Sequence, residues 1–189
     1  ITLVAGICLG TVHDITLDPI AQAQEAAATK TYQEVYPDAA SFDEPQELAD
    51  AVTAAADSIS EWGFGKVTIN DAKEALDASG NQIGYLITST SAESYGGNVQ
   101  IAVGITNEGE LTGIGFLSIS DTPGLGMRAK EPDFKDQFIG KKAENLEVTK
   151  TGASADNQIE AISGATITSK AVTNATDAAI YFVANCLAQ

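Results

Sequence analysis

The chain has 189 residues, of which 44% are hydrophobic, and this is enough to bury the core of one ordinary domain. Its formal net charge of -16, from 26 acidic and 10 basic side chains, repels phosphate backbones and argues against nucleic-acid binding. Two cysteines at opposite ends of the chain and a single histidine argue against a disulfide framework, a zinc site and a Ser-His-Asp triad.

The N-terminal stretch is apolar. Residues 1–12 carry no charge, which is too short for a membrane span of about 20 residues but fits the last part of one. We therefore predict that residues 1–13 are the C-terminal part of a transmembrane anchor. Since the chain's only methionine is Met127, we expect its beginning to be truncated or processed. A cleaved signal peptide, with a small-residue site at 21–23, and a buried helix are the alternatives.

Two helices are predicted after this stretch. Residues 14–44 are expected to form a linker and a helix, because they are rich in Ala, Gln, Glu and Lys up to Pro37, which ends the run. Residues 41–45 have the composition of a turn and a helix cap. A second helix is predicted over residues 46–61, where apolar side chains recur at helical spacing.

The remainder of the chain, residues 45–189, predicts a single α+β domain. Alternating apolar side chains indicate strands near residues 67–69, 83–87, 99–105, 111–119 and 146–148. The longest of these predict an antiparallel sheet with one buried face, against which the helices pack. The polar stretch 88–97 predicts a loop, and 120–145 predicts an irregular region whose length indicates function. The final helix is expected to begin near Ser169.

The segment Ser163–Ser169, which reads SGATITS, lies where a loop enters the final helix. A helix N terminus leaves backbone N–H groups unpaired and carries partial positive charge, so it favours a phosphate. Gly164 lets the backbone come close, Ala165 adds little bulk, and Thr168 or Ser169 can cap the helix. A threonine hydroxyl here can contact a bound phosphate or be esterified to it. These are also ordinary capping residues, so spacing alone leaves a purely structural role open.

The loop Asp121–Gly126, which reads DTPGLG, supplies a second group of candidates. Its proline fixes φ, and Gly124 and Gly126 permit conformations closed to other residues, so backbone amides can face a flat ligand. Thr122 can hydrogen-bond the edge of such a ligand, and Leu125 can cover its face. A tight surface turn is the alternative. We reject the match to a dinucleotide fingerprint, G-x-G-x-x-A, because a proline soon follows and no βαβ unit surrounds it.

Together these motifs carry a family resemblance. The string that begins at Ser163, SGATITSKAVTNA, resembles the flavin-attachment motif of the FMN-binding domain family, which includes the G subunit of Rnf complexes and the C subunit of sodium-pumping NADH:quinone oxidoreductases. In that motif the last threonine of SGAT, here Thr166, receives FMN through a phosphoester, delivered from FAD by a dedicated flavin transferase. The DTPGLG loop resembles a family loop whose acidic residue is more often Glu. Tyr95 and Gly96 resemble the family's glycine turn, and Asp156 resembles an acidic residue upstream of the motif.

The resemblance implies an electron-transfer subunit of a membrane ion-translocating ferredoxin:NAD oxidoreductase of the Rnf type, with covalent FMN as its relay. It implies other membrane subunits and the flavin transferase as partners, no independent catalysis, and a single-pass cell-membrane protein whose FMN domain is extracytoplasmic. The expected cofactor residues are Tyr95, Gly96, Thr122, Gly124, Leu125, Gly126, Ser163, Gly164, Ala165, Thr166, Thr168 and Ser169. No catalytic residue and no metal are expected. A soluble or secreted reductase domain and a non-flavin interaction module are the alternatives.

Overall fold

The structure is a computed structural model that describes residues 23–142 and 144–187. The transmembrane anchor predicted over residues 1–13 lies outside these ranges. Within them, no helix combines the length and the apolar composition that crossing a bilayer requires. The fold described below is therefore that of the domain which follows the apolar stretch.

The centre of the fold is a five-stranded antiparallel sheet in which each strand pairs with the next along the chain. Its strands are β1 (Ser41–Asp43), β2 (Val67–Leu76), β3 (Gln82–Ser94), β4 (Gly97–Thr106) and β5 (Leu111–Ile119). The strict alternation of apolar residues that predicted the hairpin of β4 and β5 is thus confirmed. The fold is α+β, with an antiparallel sheet and packed helices, as predicted.

Helices cover both faces of this sheet, so the prediction of a single buried face is wrong. The long helix α4 (Thr166–Phe182) packs on the face that carries the largest core cluster, where Ile101 and Val103 are fully buried. Helix α1, residues 23–35, packs on the opposite face against Leu86 and Ala102. The end of α1 is fixed by a hydrogen bond of 2.6 Å from Thr112 Oγ1 to the carbonyl oxygen of Val35.

The polar stretch 88–97 is not a loop, as the sequence predicted, but the second half of β3 and the turn into β4. Ser89 and Ser91 are fully buried beneath α4, and Ser89 Oγ donates a hydrogen bond of 2.9 Å to the carbonyl oxygen of Ala175. Short side chains here let the helix approach the sheet closely, and this bond satisfies the Ser89 hydroxyl. Polarity was therefore a poor guide to exposure in this strand.

Two other predicted elements differ in their bounds. The segment 41–45, predicted as a turn and cap, contains strand β1, which pairs with β2. The predicted helix 46–61 divides into α2 (Gln46–Ala55) and a 3-10 turn, Ile59–Trp62. This tighter turn brings Trp62 against Tyr181 of α4, with ring centroids 4.7 Å apart. The gain in aromatic packing explains the break in a pattern that is otherwise helical.

The region 120–145, predicted as irregular, contains a succession of short helical turns between residues 126 and 138. It contains 3-10 turns at Gly126–Lys130 and Asp136–Phe138, with the short helix α3 (Pro132–Lys135) between them. Phe134 and Phe138 anchor these turns in the core, with their rings packed edge to face. A small parallel pair, β6 (Glu147–Thr149) and β7 (Gln158–Glu160), then leads to α4.

Candidate functional site

The N terminus of α4 opens into a cavity of about 430 Å³. Three segments far apart in the chain build its wall: the turn between β3 and β4, the DTPGLG loop and the first turn of α4. The lining residues are Tyr95, Asp121, Thr122, Leu125, Gly126, Gly164, Ala165, Thr166, Ile167 and Thr168. Its volume lies within the range of about 300–1,000 Å³ that small-molecule sites occupy.

Most of the residues expected from the sequence meet in this cavity, and four of them lie elsewhere. Ser163 lines a separate polar groove and not the cavity. Gly124 lies in the DTPGLG loop with φ of 75° and does not line the cavity. Gly96 and Ser169 support the wall through hydrogen bonds without lining it.

Two lining residues were missed as site candidates. Asp121 was visible as the acidic residue of its motif, and its place in the wall depends on the fold. Ile167 had a weaker signal: it is a large apolar residue in the first turn of a helix, and the structure leaves 54% of it exposed. An apolar side chain so exposed beside a cavity is typical of a ligand site.

Helix α4 begins at Thr166, three residues before the predicted start, and it is not capped by Thr168 or Ser169 as expected. Ser169 Oγ accepts from the N–H of Ile162 and donates to the carbonyl oxygen of Ala165, each at 3.0 Å. No side chain of the described residues caps the helix at Ala165. The first-turn N–H groups therefore keep their partial positive charge available at the cavity.

The hydroxyl groups of the SGATITS segment differ sharply in their surroundings. Thr168 and Ser169 are buried, and both hydroxyls donate to protein oxygens. Ser163 is exposed and faces the other groove. Thr166 is partly buried, lines the cavity, and its hydroxyl makes no hydrogen bond with any other described residue. Of the two threonines that line the cavity in this segment, Thr166 is the one whose hydroxyl has no hydrogen-bond partner among the described residues.

The wall of the cavity is held together by the carboxylate of Asp121, which is only 5% exposed. Its Oδ2 accepts hydrogen bonds from Ser94 Oγ at 2.6 Å and Thr168 Oγ1 at 2.5 Å, and its Oδ1 accepts from the N–H of Gly96. A Cβ at Gly126 would lie 2.5 Å from Asp121 Oδ2 and 2.6 Å from Thr168 Oγ1, so only glycine fits. No ion pair links Asp121 to any basic side chain in the described part of the chain.

The mouth of the cavity is apolar. Tyr95 is 73% exposed and Leu125 is 44% exposed, and both line the cavity together with Ile167. Gly164 has φ of 79°, which other residues rarely adopt, and a Cβ there would crowd Leu125 at 3.2 Å. Large apolar side chains with this exposure offer flat contact surface to an aromatic ring.

Asp156, which the resemblance selected, lies in a different place. It lines a groove of about 550 Å³ with Lys141, whose Nζ donates a hydrogen bond of 2.7 Å to the carbonyl oxygen of Asp156. The structure therefore does not bring its carboxylate to the cavity wall. No group of three or more metal-ligating side chains occurs in the ranges that the structure describes.

Comparison with known proteins identifies the relatives of this chain. The model of the FMN-binding domain family matches residues 94–181, which include all three segments of the cavity wall. The G subunit of the Na(+)-translocating ferredoxin:NAD(+) oxidoreductase complex of Acetobacterium woodii is 34% identical over 193 residues, covering 98% of this chain and 87% of that protein. The G subunit of the proton-translocating complex of Clostridium ljungdahlii is 35% identical over 126 residues, covering 61% of this chain and 67% of that protein.

Solved structures show a partial likeness. The C subunit of the Na(+)-translocating NADH-quinone reductase from Parabacteroides distasonis has a TM-score of 0.47 at 19% identity, covering 76% of this chain and 95% of that chain. NqrC of Shewanella oneidensis has a TM-score of 0.49 at 19% identity, covering 59% of this chain and 54% of that chain. The sequence relationship is the stronger finding: the chain belongs to the FMN-binding domain family and, within it, to the G subunits of Rnf-type ion-translocating oxidoreductase complexes.

Proposed function

We propose that this chain is the electron-transfer subunit of an Rnf-type ferredoxin:NAD oxidoreductase complex, with FMN held in the cavity and esterified through its phosphate to Thr166. The observation that carries the proposal is the state of the hydroxyls in the SGATITS segment. Those of Thr168 and Ser169 are buried and engaged, whereas Thr166 lines the cavity with its hydroxyl unengaged by the described residues.

The cavity suits the parts of FMN. The uncapped first turn of α4 offers backbone N–H groups and partial positive charge to a phosphate. The exposed apolar side chains of Tyr95, Leu125 and Ile167 can cover an aromatic ring and exclude water from it. When bound, the flavin supplies one- and two-electron transfer, and the protein supplies binding, orientation and electrostatics.

The attachment to Thr166 is a group transfer without oxidation or reduction. A bond forms between Thr166 Oγ1 and the phosphorus of the FMN half of FAD, and the anhydride bond to the second phosphate breaks. AMP leaves, and the hydroxyl proton passes to a base of the flavin transferase. The described residues place no general base against this hydroxyl, which supports the need for a dedicated transferase.

The relatives extend the proposal to the assembly. Because they are subunits of ion-translocating complexes, we infer other Rnf subunits as partners and a place at the cell membrane. The apolar residues 1–13 would be the end of a single anchor, with the flavin domain on the extracytoplasmic side. The relatives include subunits of complexes named as sodium-translocating and as proton-translocating, so membership of the family is compatible with either coupling ion.

The attachment is tested by co-expression with a flavin transferase of the same family and denaturing electrophoresis. We expect flavin fluorescence to remain with the band, and a mass increase of FMN less water on the peptide containing Thr166. Thr166→Val should abolish both signals. The matched control is Thr53→Val, which removes an exposed threonine hydroxyl on α2, outside the cavity.

Three results would contradict parts of the proposal. A colourless wild-type chain with the mass of its amino acids alone would mean that the SGATITS segment only begins a helix and carries no cofactor. Fluorescence that survives in Thr166→Val would place the attachment on another residue. Extraction of the full-length protein from native membranes without detergent would favour a soluble reductase domain instead.

A further inference from the structure

We infer that Asp121 is the positioning residue of the flavin cavity: its carboxylate joins the three wall segments and so holds the first turn of α4 where Thr166 meets the ligand. The inference rests on the proposed function for the identity of the ligand. The connection of the three segments by Asp121 rests on the geometry of its hydrogen bonds alone. This connection and the proposed function can therefore be tested separately.

The bonds of Asp121 cross long stretches of chain. Ser94 lies 27 residues before it and Thr168 lies 47 residues after it, yet both hydroxyls donate to the same oxygen, Oδ2. The N–H of Gly96 binds the other oxygen, Oδ1. One side chain of the DTPGLG loop thereby connects the turn between β3 and β4 with the first turn of α4.

Burial makes these bonds hard to replace. Asp121, Ser94 and Thr168 are each less than a tenth exposed, so water has little access to the donors if the carboxylate is removed. A hydrogen bond to a charged group is stronger than one between neutral groups, and a buried donor left unpaired carries its full desolvation cost. Loss of the carboxylate should therefore loosen the wall at all three segments together.

The position of Thr168 relates this joining to attachment. Thr168 is two residues after Thr166 in the first turn of α4, and its hydroxyl is bound by Asp121. Asp121 therefore fixes the rotation and depth of the helix start and also withholds a second threonine hydroxyl from the cavity. Asp121 is a positioning residue and not a catalytic one, because its carboxylate hydrogen-bonds the hydroxyl of Thr168 and not that of Thr166.

Two substitutions separate the shape of the wall from its charge. Asp121→Ala removes all three bonds. Asp121→Asn can keep bonds to the same three partners. Its amide oxygen can accept from the N–H of Gly96, and its NH2 can donate to the hydroxyls of Ser94 and Thr168, which rotate to accept. Asp177→Ala is the matched control, since Asp177 is an equally buried carboxyl on α4 that does not line the cavity.

Amide hydrogen exchange of the chain expressed without transferase tests the joining directly. For Asp121→Ala we expect exchange at Gly96 and Ser169 to rise about tenfold or more, and exchange at Ile101, in the centre of β4, to rise only as far as the global free energy of unfolding falls. Asp121→Asn should keep the wild-type rates. Unchanged rates at Gly96 and Ser169 in Asp121→Ala would overturn the inference. If that variant does not fold, Ser94→Ala and Thr168→Val each remove one donor and should raise these rates severalfold.

Flavin loading with the transferase tests the consequence. The fraction of chains carrying flavin should fall about tenfold in Asp121→Ala, whereas Asp121→Asn and Asp177→Ala should stay within about twofold of wild type. Loading of Asp121→Asn as poor as that of Asp121→Ala would show that charge, and not position, is what matters, and would overturn the inference. Wild-type chains without flavin would refute the proposed function, while the exchange experiment would still decide the role of Asp121.

Discussion

Two buried carboxyl groups, one bonded to the first turn of α4 and one within α4, have very different hydrogen-bond partners. Asp121 is 5% exposed and accepts hydrogen bonds from Ser94, Gly96 and Thr168. Asp177 is 4% exposed, and its Oδ1 accepts one bond of 2.8 Å, from the N–H of Leu146. Burial raises the pKa of Asp177 to about 7, against the smaller, opposite effect of that N–H.

The comparison teaches that depth alone does not decide what a buried carboxyl does. Asp121 has donors on both oxygens and connects segments that build a cavity. Asp177 attaches α4 to the chain before β6, and its neutral form is favoured below about pH 7 because desolvation opposes the charge. The first carboxyl organises a site, whereas the second makes the stability of the fold depend on pH.

The largest effect should come from Asp121→Ala. It leaves the donors of Ser94, Thr168 and Gly96 without their acceptor in a buried place, so we expect the free energy of unfolding to fall by about 3–5 kcal/mol. Urea denaturation at neutral pH measures this change. Asp136→Ala, an exposed aspartate on a nearby turn, is the control and should cost less than about 0.5 kcal/mol. Equal effects of the two substitutions would contradict a role of Asp121 in holding the cavity wall together.

The next effect concerns Asp177 and pH. Its pKa of about 7 in the folded chain exceeds the unfolded value of about 3.9, so the folded state binds more protons between these values. Stability from this group is therefore complete below about pH 4 and is lost as the pH rises towards 7. Asp177→Asn keeps an oxygen acceptor for Leu146 but cannot ionise, so it should escape this loss.

The free energy of unfolding of Asp177→Asn, relative to that of wild type, should therefore rise by up to about 3 kcal/mol between pH 4.5 and pH 8. Urea denaturation at pH 4.5, 6 and 8 measures the difference, and the lowest value avoids precipitation near the isoelectric point of about 4.1. Other titrating groups are common to both proteins and cancel. A difference that does not change with pH would mean that Asp177 ionises normally in the fold.

Smaller effects should follow from single donors to Asp121. Ser94→Ala and Thr168→Val each remove one hydrogen bond and leave the carboxylate with the other donors, so each should cost about 1–2 kcal/mol. Their double variant should cost more than the sum, because it leaves the buried oxygen Oδ2 without any donor. Additive costs in a double-mutant cycle would show that the two bonds act independently.

The smallest effect on folding should be that of Thr166→Val. Its hydroxyl bonds to no other described residue, and a β-branched residue is tolerated where a helix begins, so the apo domain should lose less than about 1 kcal/mol. Thermal unfolding of the chain made without transferase measures this. A loss as large as that of Thr168→Val would mean that the two hydroxyls are not distinguished by the fold, contrary to their different burial.

Much of the fold could be predicted from periodicity. The alternating residues of β4 and β5 are buried on one face, and a period of two residues does not fit a helix. The second half of β3 was missed because its serines are polar, although Ser89 is buried and bonded to α4. A satisfied buried hydroxyl cannot be distinguished from an exposed one in a sequence, since its partner lies 86 residues away.

The candidate site was predictable in its motifs and not in its assembly. Thr122, Leu125 and Thr166 line one cavity, as the combination of the two motifs suggested. The role of Asp121 depends on bonds to three distant groups, which no spacing rule contains. The expectation that Thr168 or Ser169 caps α4 was wrong for the same reason, because both hydroxyls have tertiary or local partners that compete with capping.

The order of elements along the chain has a consequence for biosynthesis. The five strands pair in sequence, so the sheet can form progressively as the polypeptide leaves the ribosome. Helix α4 follows all of them, and the cavity is complete only when it docks. Flavin attachment would then depend on completed folding: chains that contain Thr166 but end within α4 should not accept the flavin, and efficient attachment to such chains would disprove this.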